Sequence, residues 1–208
     1  MLTPCRRGDP AGAAGDALLH RGYTLGRVLP EGYTIRELAP SDAAALAASY
    51  VRNRAHLEPW EPTRDESFFT YDGQVAAVSA QLAAVRAGML GAWVLLHGDD
   101  VVGRVNLNNI VQGVLRSGSL GYWVDGDHLG RGLASAGVEH VCEQALGRGL
   151  HRVEAGTLLD NHASQRVLER CGFEQYGVAR RFLFIAGAWR DHRLYQRILH
   201  DRPLTASP

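Results

Sequence analysis

The chain has 208 residues, 46% of them hydrophobic, and its 22 basic side chains balance its 22 acidic ones to a formal net charge of zero. That length and apolar share suit one domain with a proper core, with or without appendages, and the neutral balance leaves no global field to recruit nucleic acid or an anionic membrane. All the basic residues are arginine, a compositional bias that also rules out a Walker-type phosphate loop, a Schiff-base lysine and an autoacetylated lysine.

In chain order, residues 1–29 are rich in Gly, Ala and Arg and read as a poorly ordered or loosely docked extension. Residues 30–200 read as the folded domain and residues 201–208 as a tail. Residues 33–38 alternate as a strand does, and Pro40-Ser41-Asp42 then caps an alanine-rich helix to about Arg52. After a loop around Pro59-Trp60-Glu61-Pro62, the apolar positions Val75, Val78, Leu82, Val85 and Met89 mark a second helix. Strands over about 93–96 and 101–105 flank Gly98-Asp99-Asp100 as a hairpin, and a third strand covers about 119–125. Then come Leu129-Gly130-Arg131-Gly132-Leu133-Ala134 and a helix with Ala134, Val138, Val141, Cys142 and Ala145 on one stripe, stopped by Gly147-Arg148-Gly149.

A strand over about 151–158 leads into a short helix whose inner face is Ala163, Val167, Leu168 and Cys171, with Gly172 at its C-terminal cap. Two last strands, about 180–185 and 189–199, join at Ala186-Gly187-Ala188. The order β-α-α-β-β-β-α-β-α-β-β predicts a mixed α/β sheet in one domain, with no doubly wound parallel sheet. Cys5, Cys142 and Cys171 are too few for a disulfide framework and have no zinc spacing, so no metal is expected and a reducing cytoplasm fits. No segment approaches the length of a membrane span.

The chemistry concentrates after Gly121-Tyr122-Trp123-Val124-Asp125. A strand that passes through a glycine-rich turn into a helix presents a row of free backbone N–H groups, which suits a pyrophosphate. The plain alternative is a tight turn with no ligand. A dinucleotide-binding unit is another, since Gly130-x-Gly132-x-x-Ser135 is one residue off that fingerprint. Against it, three strands expected to be antiparallel precede the turn, and Glu154 falls inside a strand. Asn161 and Ser164 stand three apart at a helix start and share one side of its first turn; helix capping by Asn161 is their structural alternative.

From about Tyr33 to His200 the chain resembles the GNAT superfamily of acyl-CoA-dependent N-acyltransferases, and within it the ribosomal-protein alanine N-acetyltransferases of RimJ/RimL type. The matching segments are Asn53-Arg54-x-His56-Leu57-x-Pro59-Trp60-Glu61-Pro62, Asn108-Asn109-Ile110-Val111-x-Gly113, Leu120-Gly121-Tyr122, Asn161-x-x-Ser164 and Gly187-x-Trp189-Arg190-Asp191-His192. The resemblance implies a mostly antiparallel sheet with helices on both faces, and acetyl-CoA as co-substrate without a metal. It implies that the strand ending near Asp125 and the strand through Glu154 splay apart around the pantetheine arm, with Trp123 and Val124 beside it. The pyrophosphate would lie on Leu129, Gly130, Arg131, Gly132, Leu133 and Ala134; relatives usually carry Gln or Arg where this chain has Leu129. Ser164 would face the coenzyme sulfur and protonate the leaving thiolate, Asn161 would orient the pantetheine or the amine, and the Val124 N–H would meet the oxyanion.

A glutamate used as base in RimL-type relatives maps to Leu183, which takes no proton. An α-amino group with pKa near 7.7 to 8.0 is already roughly a tenth neutral at pH 7, whereas a lysine amine near 10.4 costs about 4 to 5 kcal/mol to deprotonate. A chain without an obvious base therefore suits a protein N-terminus better than lysine. Glu61 is the candidate base or amine anchor, with a solvated loop acid as its alternative, and Trp60, Phe68 and Phe69 are candidate walls of the acceptor site. Three readings stay open: N-terminal acetylation of a protein, acetylation of a small-molecule amine, and a non-catalytic acyl-CoA-binding module. The expected assembly is a monomer or homodimer, without direct nucleic acid or membrane binding.

Overall fold

The computed structural model describes residues 29–203. The expected extension at residues 1–29, Cys5 and the end of the tail lie outside the described residues, apart from Leu29 itself. Seven strands form one sheet: β1 (Tyr33–Glu37), β2 (Gly91–His97), β3 (Asp100–Val111), β4 (Ser117–Val124), β5 (Arg152–Leu158), β6 (Glu174–Ile185) and β7 (Ala188–Ile198). Their order across the sheet is β1-β2-β3-β4-β5-β7-β6, and every neighbouring pair is antiparallel except β4 with β5. A parallel pair needs a long crossover. Here α4 (Leu133–Gly147) supplies it.

Two cores lie on the two faces of the sheet. On one, α4 and α5 (His162–Arg170) bury Leu133, Val138, Val141, Cys142, Ala145 and Leu168 against Val105, Leu107, Leu120, Val153 and Tyr195. On the other, α1 (Ala43–Arg52), α2 (Arg54–Leu57) and α3 (Tyr71–Arg86) bury Leu46, Tyr50, Leu57 and Val78 against Val94, Leu96, Val101 and Trp123. The expected mixed sheet with helices on both faces is therefore the observed one. No helix among the described residues is long and apolar enough to cross a membrane.

Several boundaries differ from expectation. β3 runs to Val111, well beyond residue 105, because Asn108-Asn109-Ile110-Val111 forms a bulge with Asn109 at φ 51°; a bulge breaks the alternation that marks a strand. β6 starts at Glu174, six residues early, since its exposed face carries none of the alternation the eye follows. Val75 and Met89 do not belong to the core stripe: Val75 is 41% exposed, and Met89 is 56% exposed and lies past the end of α3. Asp42 does not cap α1 with its side chain. Its carboxylate instead accepts from the Ala39 N–H and from Arg36, within a 3-10 turn over Pro40–Asp42.

Candidate active site

The sheet is open at its centre. β4 and β5 pair only from Ser117 with Arg152 to Leu120 with Ala155, although β4 continues to Val124 and β5 to Leu158. Beyond that point each strand stays bonded to its outer neighbour: Val124 pairs with Gly103 of β3, and Leu158 with His192 of β7. The result is a seam bordered by residues 121–124 and 156–158.

Strand alternation decides which backbone groups face it. The Asp125 N–H donates to Val102 O at 2.9 Å, toward β3. A Cβ added to Gly103 would stand 2.7 Å from Trp123 O, so that carbonyl also faces β3. By the same alternation the amides and carbonyls of Tyr122 and Val124 face the seam. Trp123, expected beside the carrier, is not brought there: its backbone serves β3, and its indole is buried in the α1–α3 core, donating from Nε1 to Tyr50 OH at 3.1 Å.

The end of β4 is fastened from the helical side. Asp125, 1% exposed, accepts from Asn53 Nδ2 at 2.8 Å, Arg52 Nε at 2.8 Å and the Asp127 N–H at 3.0 Å. Asn53 Oδ1 accepts from the Gly126 N–H at 2.9 Å. Burial by itself would raise the Asp125 pKa, but the bonds from Asn53, the Asp127 amide and Arg52 hold it below the usual carboxylate range. His56 Nε2 donates to Val124 O at 3.2 Å, which places its proton on that nitrogen. Arg52, Asn53 and His56 thus clamp the end of β4 to the helical side.

The seam leads to the start of α4. Gly130 and Gly132 sit at φ 73° and 80°, with open space where a Cβ would stand, so their left-handed backbone, not crowding, requires glycine. Leu129 to Gly132 are exposed, so the first-turn amides of α4, which point along the helix axis toward its N-terminus, open onto solvent. Leu129 is 54% exposed. Arg131 is exposed too, its guanidinium 3.5 Å from Asp127 O. Gly137 lets α4 lie close on β3, for an added Cβ would meet Val105 Cγ2 at 2.6 Å. An edge of unpaired amides running into a helix N-terminus fits an extended amide-bearing arm that ends in a diphosphate.

On the other side of the seam stands α5. Asn161 caps it, its Oδ1 accepting from the Ser164 N–H at 3.0 Å, so the capping role is present. The Ser164 hydroxyl lies 2.8 Å from the phenol of Tyr122, which also donates to Ser164 O at 3.2 Å. Sequence reasoning did not single out Tyr122. The signal was available in Leu120-Gly121-Tyr122: Tyr122 lies two residues past Leu120 on a strand and so shares its face.

Glu61 is elsewhere. It lines a cavity of about 220 Å3 with Tyr50, Arg54, Leu57, Arg64, Phe68 and Phe69. Arg54 and Arg64 cover Phe69 and Phe68, at 4.4 and 4.7 Å from the ring centroids. Burial raises the Glu61 pKa, opposed in part by Arg64 and Arg104. Phe68 and Phe69, the expected walls of an acceptor site, line this cavity, whereas Trp60 is not among its lining residues. Neither Ser164 nor Asn161 lines it; Tyr50, bonded to Trp123, joins it to β4. Leu183 is 45% exposed on β6. In the last motif Arg190 pairs with Asp160, Asp191 accepts from the Arg181 N–H at 2.8 Å and His192 is buried, a set of structural ties on β7.

Residues 33–174 match the family profile described as an acetyltransferase (GNAT) domain. The chain is similar to the [ribosomal protein uS5]-alanine N-acetyltransferase of Escherichia coli, 32% identical over 81% of this chain and 88% of that protein. It is 31% identical to the probable N-acetyltransferase YjcK of Bacillus subtilis over 77% of this chain and 90% of that one. Among solved structures, the ribosomal-protein-S5-alanine acetyltransferase from Vibrio fischeri superposes with a TM-score of 0.79 at 32% identity, over 83% of this chain and 97% of that one. Mycobacterium smegmatis RimJ in complex with CoA-disulfide gives 0.76 at 32% identity, over 80% and 81%.

Proposed function

The chain belongs to the acetyltransferase (GNAT) family, and from that premise we propose that it moves an acetyl group from acetyl-CoA directly to the N-terminal amine of a protein. The observation that carries the reading is the seam: the unpaired amides of Tyr122 and Val124, leading to the first turn of α4, beside the hydroxyl of Ser164. Two of the similar proteins, those of Escherichia coli and Vibrio fischeri, are named as alanine acetyltransferases of a ribosomal protein, which supports a ribosomal acceptor and work in the cytoplasm.

Val124 and Tyr122 would bond the pantetheine arm, and residues Gly130 to Ala134 the pyrophosphate. When bound, the coenzyme supplies the acetyl group as an activated thioester. The Val124 N–H is the donor for charge developing on the acyl oxygen, a contribution of about 10²–10³ in rate at comparable sites. Ser164 is the donor for the departing sulfur. Glu61, whose raised pKa suits a base nearer neutrality than an ordinary carboxylate, takes the amine proton or anchors the ammonium.

Direct transfer agrees with the cysteines. Both described ones are buried, and burial, the largest influence, pushes the Cys142 thiol up to about 12. Such a thiol is inert as a nucleophile at neutral pH.

The test is thiol release from acetyl-CoA with an alanine-starting peptide, the same peptide with a blocked N-terminus and an internal lysine, and a panel of small amines. Fastest turnover of the free N-terminus supports the reading. Faster lysine acetylation contradicts it, and preference for a small amine replaces the acceptor while keeping the chemistry.

A further inference from the structure

The phenol of Tyr122 bridges the seam. Tyr122 lies on β4 two residues past the last pair with β5, and its oxygen reaches two acceptors on α5, Ser164 Oγ at 2.8 Å and Ser164 O at 3.2 Å. A phenol has one proton, so it donates to one of them at a time. While it donates to the carbonyl, its oxygen is the natural acceptor for the serine hydroxyl, and the serine proton is spent inside the pair. Once it turns to Oγ, the serine hydroxyl keeps an acceptor bond and its own proton is released for another partner.

We propose that Tyr122 is a positioning residue for acetyl transfer, its hydroxyl turning from the Ser164 carbonyl to Ser164 Oγ so that the serine proton is aimed at the departing sulfur. The proposal rests on the acetyltransferase reading above. As the nitrogen–carbon bond forms and the carbon–sulfur bond breaks, the electron pair goes to sulfur, which receives the Ser164 hydrogen bond. The amine proton leaves to Glu61 or water, and no proton leaves Tyr122. Consecutive donors strengthen one another in a poorly solvated site, which favours the turned arrangement once charge develops on sulfur. Two further facts agree. Tyr122 packs against the α4–α5 core, which restrains its ring. Burial, outweighing the Ser164 bond, pushes the phenol pKa far above its ordinary value, so the proton stays on Tyr122 and remains available to donate.

The experiment is a double-mutant cycle on the full chain with acetyl-CoA and the best amine from the panel: wild type, Y122F, S164A and Y122F/S164A, each with its melting temperature. Phenylalanine keeps the ring, so folding is preserved. The expected result is a kcat for Y122F lower by about ten- to thirtyfold, as for loss of a hydrogen bond that supports developing charge, with the KM for acetyl-CoA changed less than about threefold. The double variant should be no slower than S164A alone, because Tyr122 acts through Ser164. An active wild type whose Y122F variant keeps half its kcat or more overturns this inference alone. So does a double variant that loses the product of the two single losses, since a merely structural ring would give independent effects. A wild type that releases no thiol with any amine overturns both this inference and the function it rests on.

Discussion

Asn53, at the end of α1, donates from Nδ2 to the carboxylate of Asp125, 72 residues later, at 2.8 Å, and accepts from the Gly126 N–H with its Oδ1. One amide side chain thereby holds the point where β4 leaves the sheet. Asn53→Ala leaves a buried carboxylate short of a donor and a part-buried amide short of an acceptor, and should cost about 1 to 3 kcal/mol. The check is the denaturant midpoint, read together with the KM for acetyl-CoA. That KM should rise, because the clamp sets the seam.

Acid should act on the same clamp. Asp125 and Asp42 both have folded-state pKa values below the ordinary carboxylate. For Asp42 burial pushes upward, and the bonds from Arg36 and the Ala39 amide outweigh it. At acid pH the unfolded chain therefore binds more protons than the folded one. The stability from these groups is complete above the unfolded pKa of about 3.9 and is lost as pH falls through the folded values. Unfolding free energy followed below pH 5 should decline, with a gentler slope in Asp125→Asn, which should already be destabilised at pH 7.

Two kinds of glycine in this region respond differently to alanine. At Gly132 there is space but a left-handed backbone, so Gly132→Ala should cost about 1 to 2 kcal/mol and weaken coenzyme binding by reshaping the turn. At Gly137 the backbone is helical and the space is missing: the added carbon meets Val105 Cγ2 at 2.6 Å. Overpacking there should cost about 1 to 3 kcal/mol. Gly137→Ala combined with Val105→Ala should recover the overpacking part, because the clash is with that side chain; thermal melts of the three variants decide it.

Glu61 is to be tested through its protonation. As a base it must be ionised, and its raised pKa shifts the acidic limb of the kcat/KM profile upward from the ordinary carboxylate range. Glu61→Gln should remove that limb and lower kcat/KM by about 10²-fold or more, while stability at pH 7 holds or rises because a carboxylate that resists burial as an anion is gone. An unaltered pH profile would remove Glu61 from the chemistry.

The sheet and its two helical faces were readable because hydrophobic spacing and glycine punctuation record them locally. Val138, Val141 and Leu168 face the core as their spacing requires, and Ala186 and Gly187, both at positive φ, turn the last hairpin. The bulge at Asn109 was not readable as strand, because its ladder is interrupted. Within the site, the glycine turn and the Asn161 cap follow from nearby residues. The bond of Asn53 to Asp125 and that of Tyr122 to Ser164 join residues 72 and 42 positions apart, and no local period encodes such pairs. Trp123 was misplaced beside the seam for a related reason: alternation fixes that it differs from Tyr122 and Val124, but the pairing with β3 decides which of them faces the gap.

The most direct measurement of the central claim is amide hydrogen exchange with and without acetyl-CoA. The amides of Tyr122 and Val124, and those at the first turn of α4, should exchange quickly in the free protein and become protected on addition of the coenzyme, while the paired stretch from Ser117 to Leu120 barely changes. Protection of the Tyr122 and Val124 amides already present without ligand, or acetyl-CoA leaving those two amides as they were, would contradict the seam as the binding site.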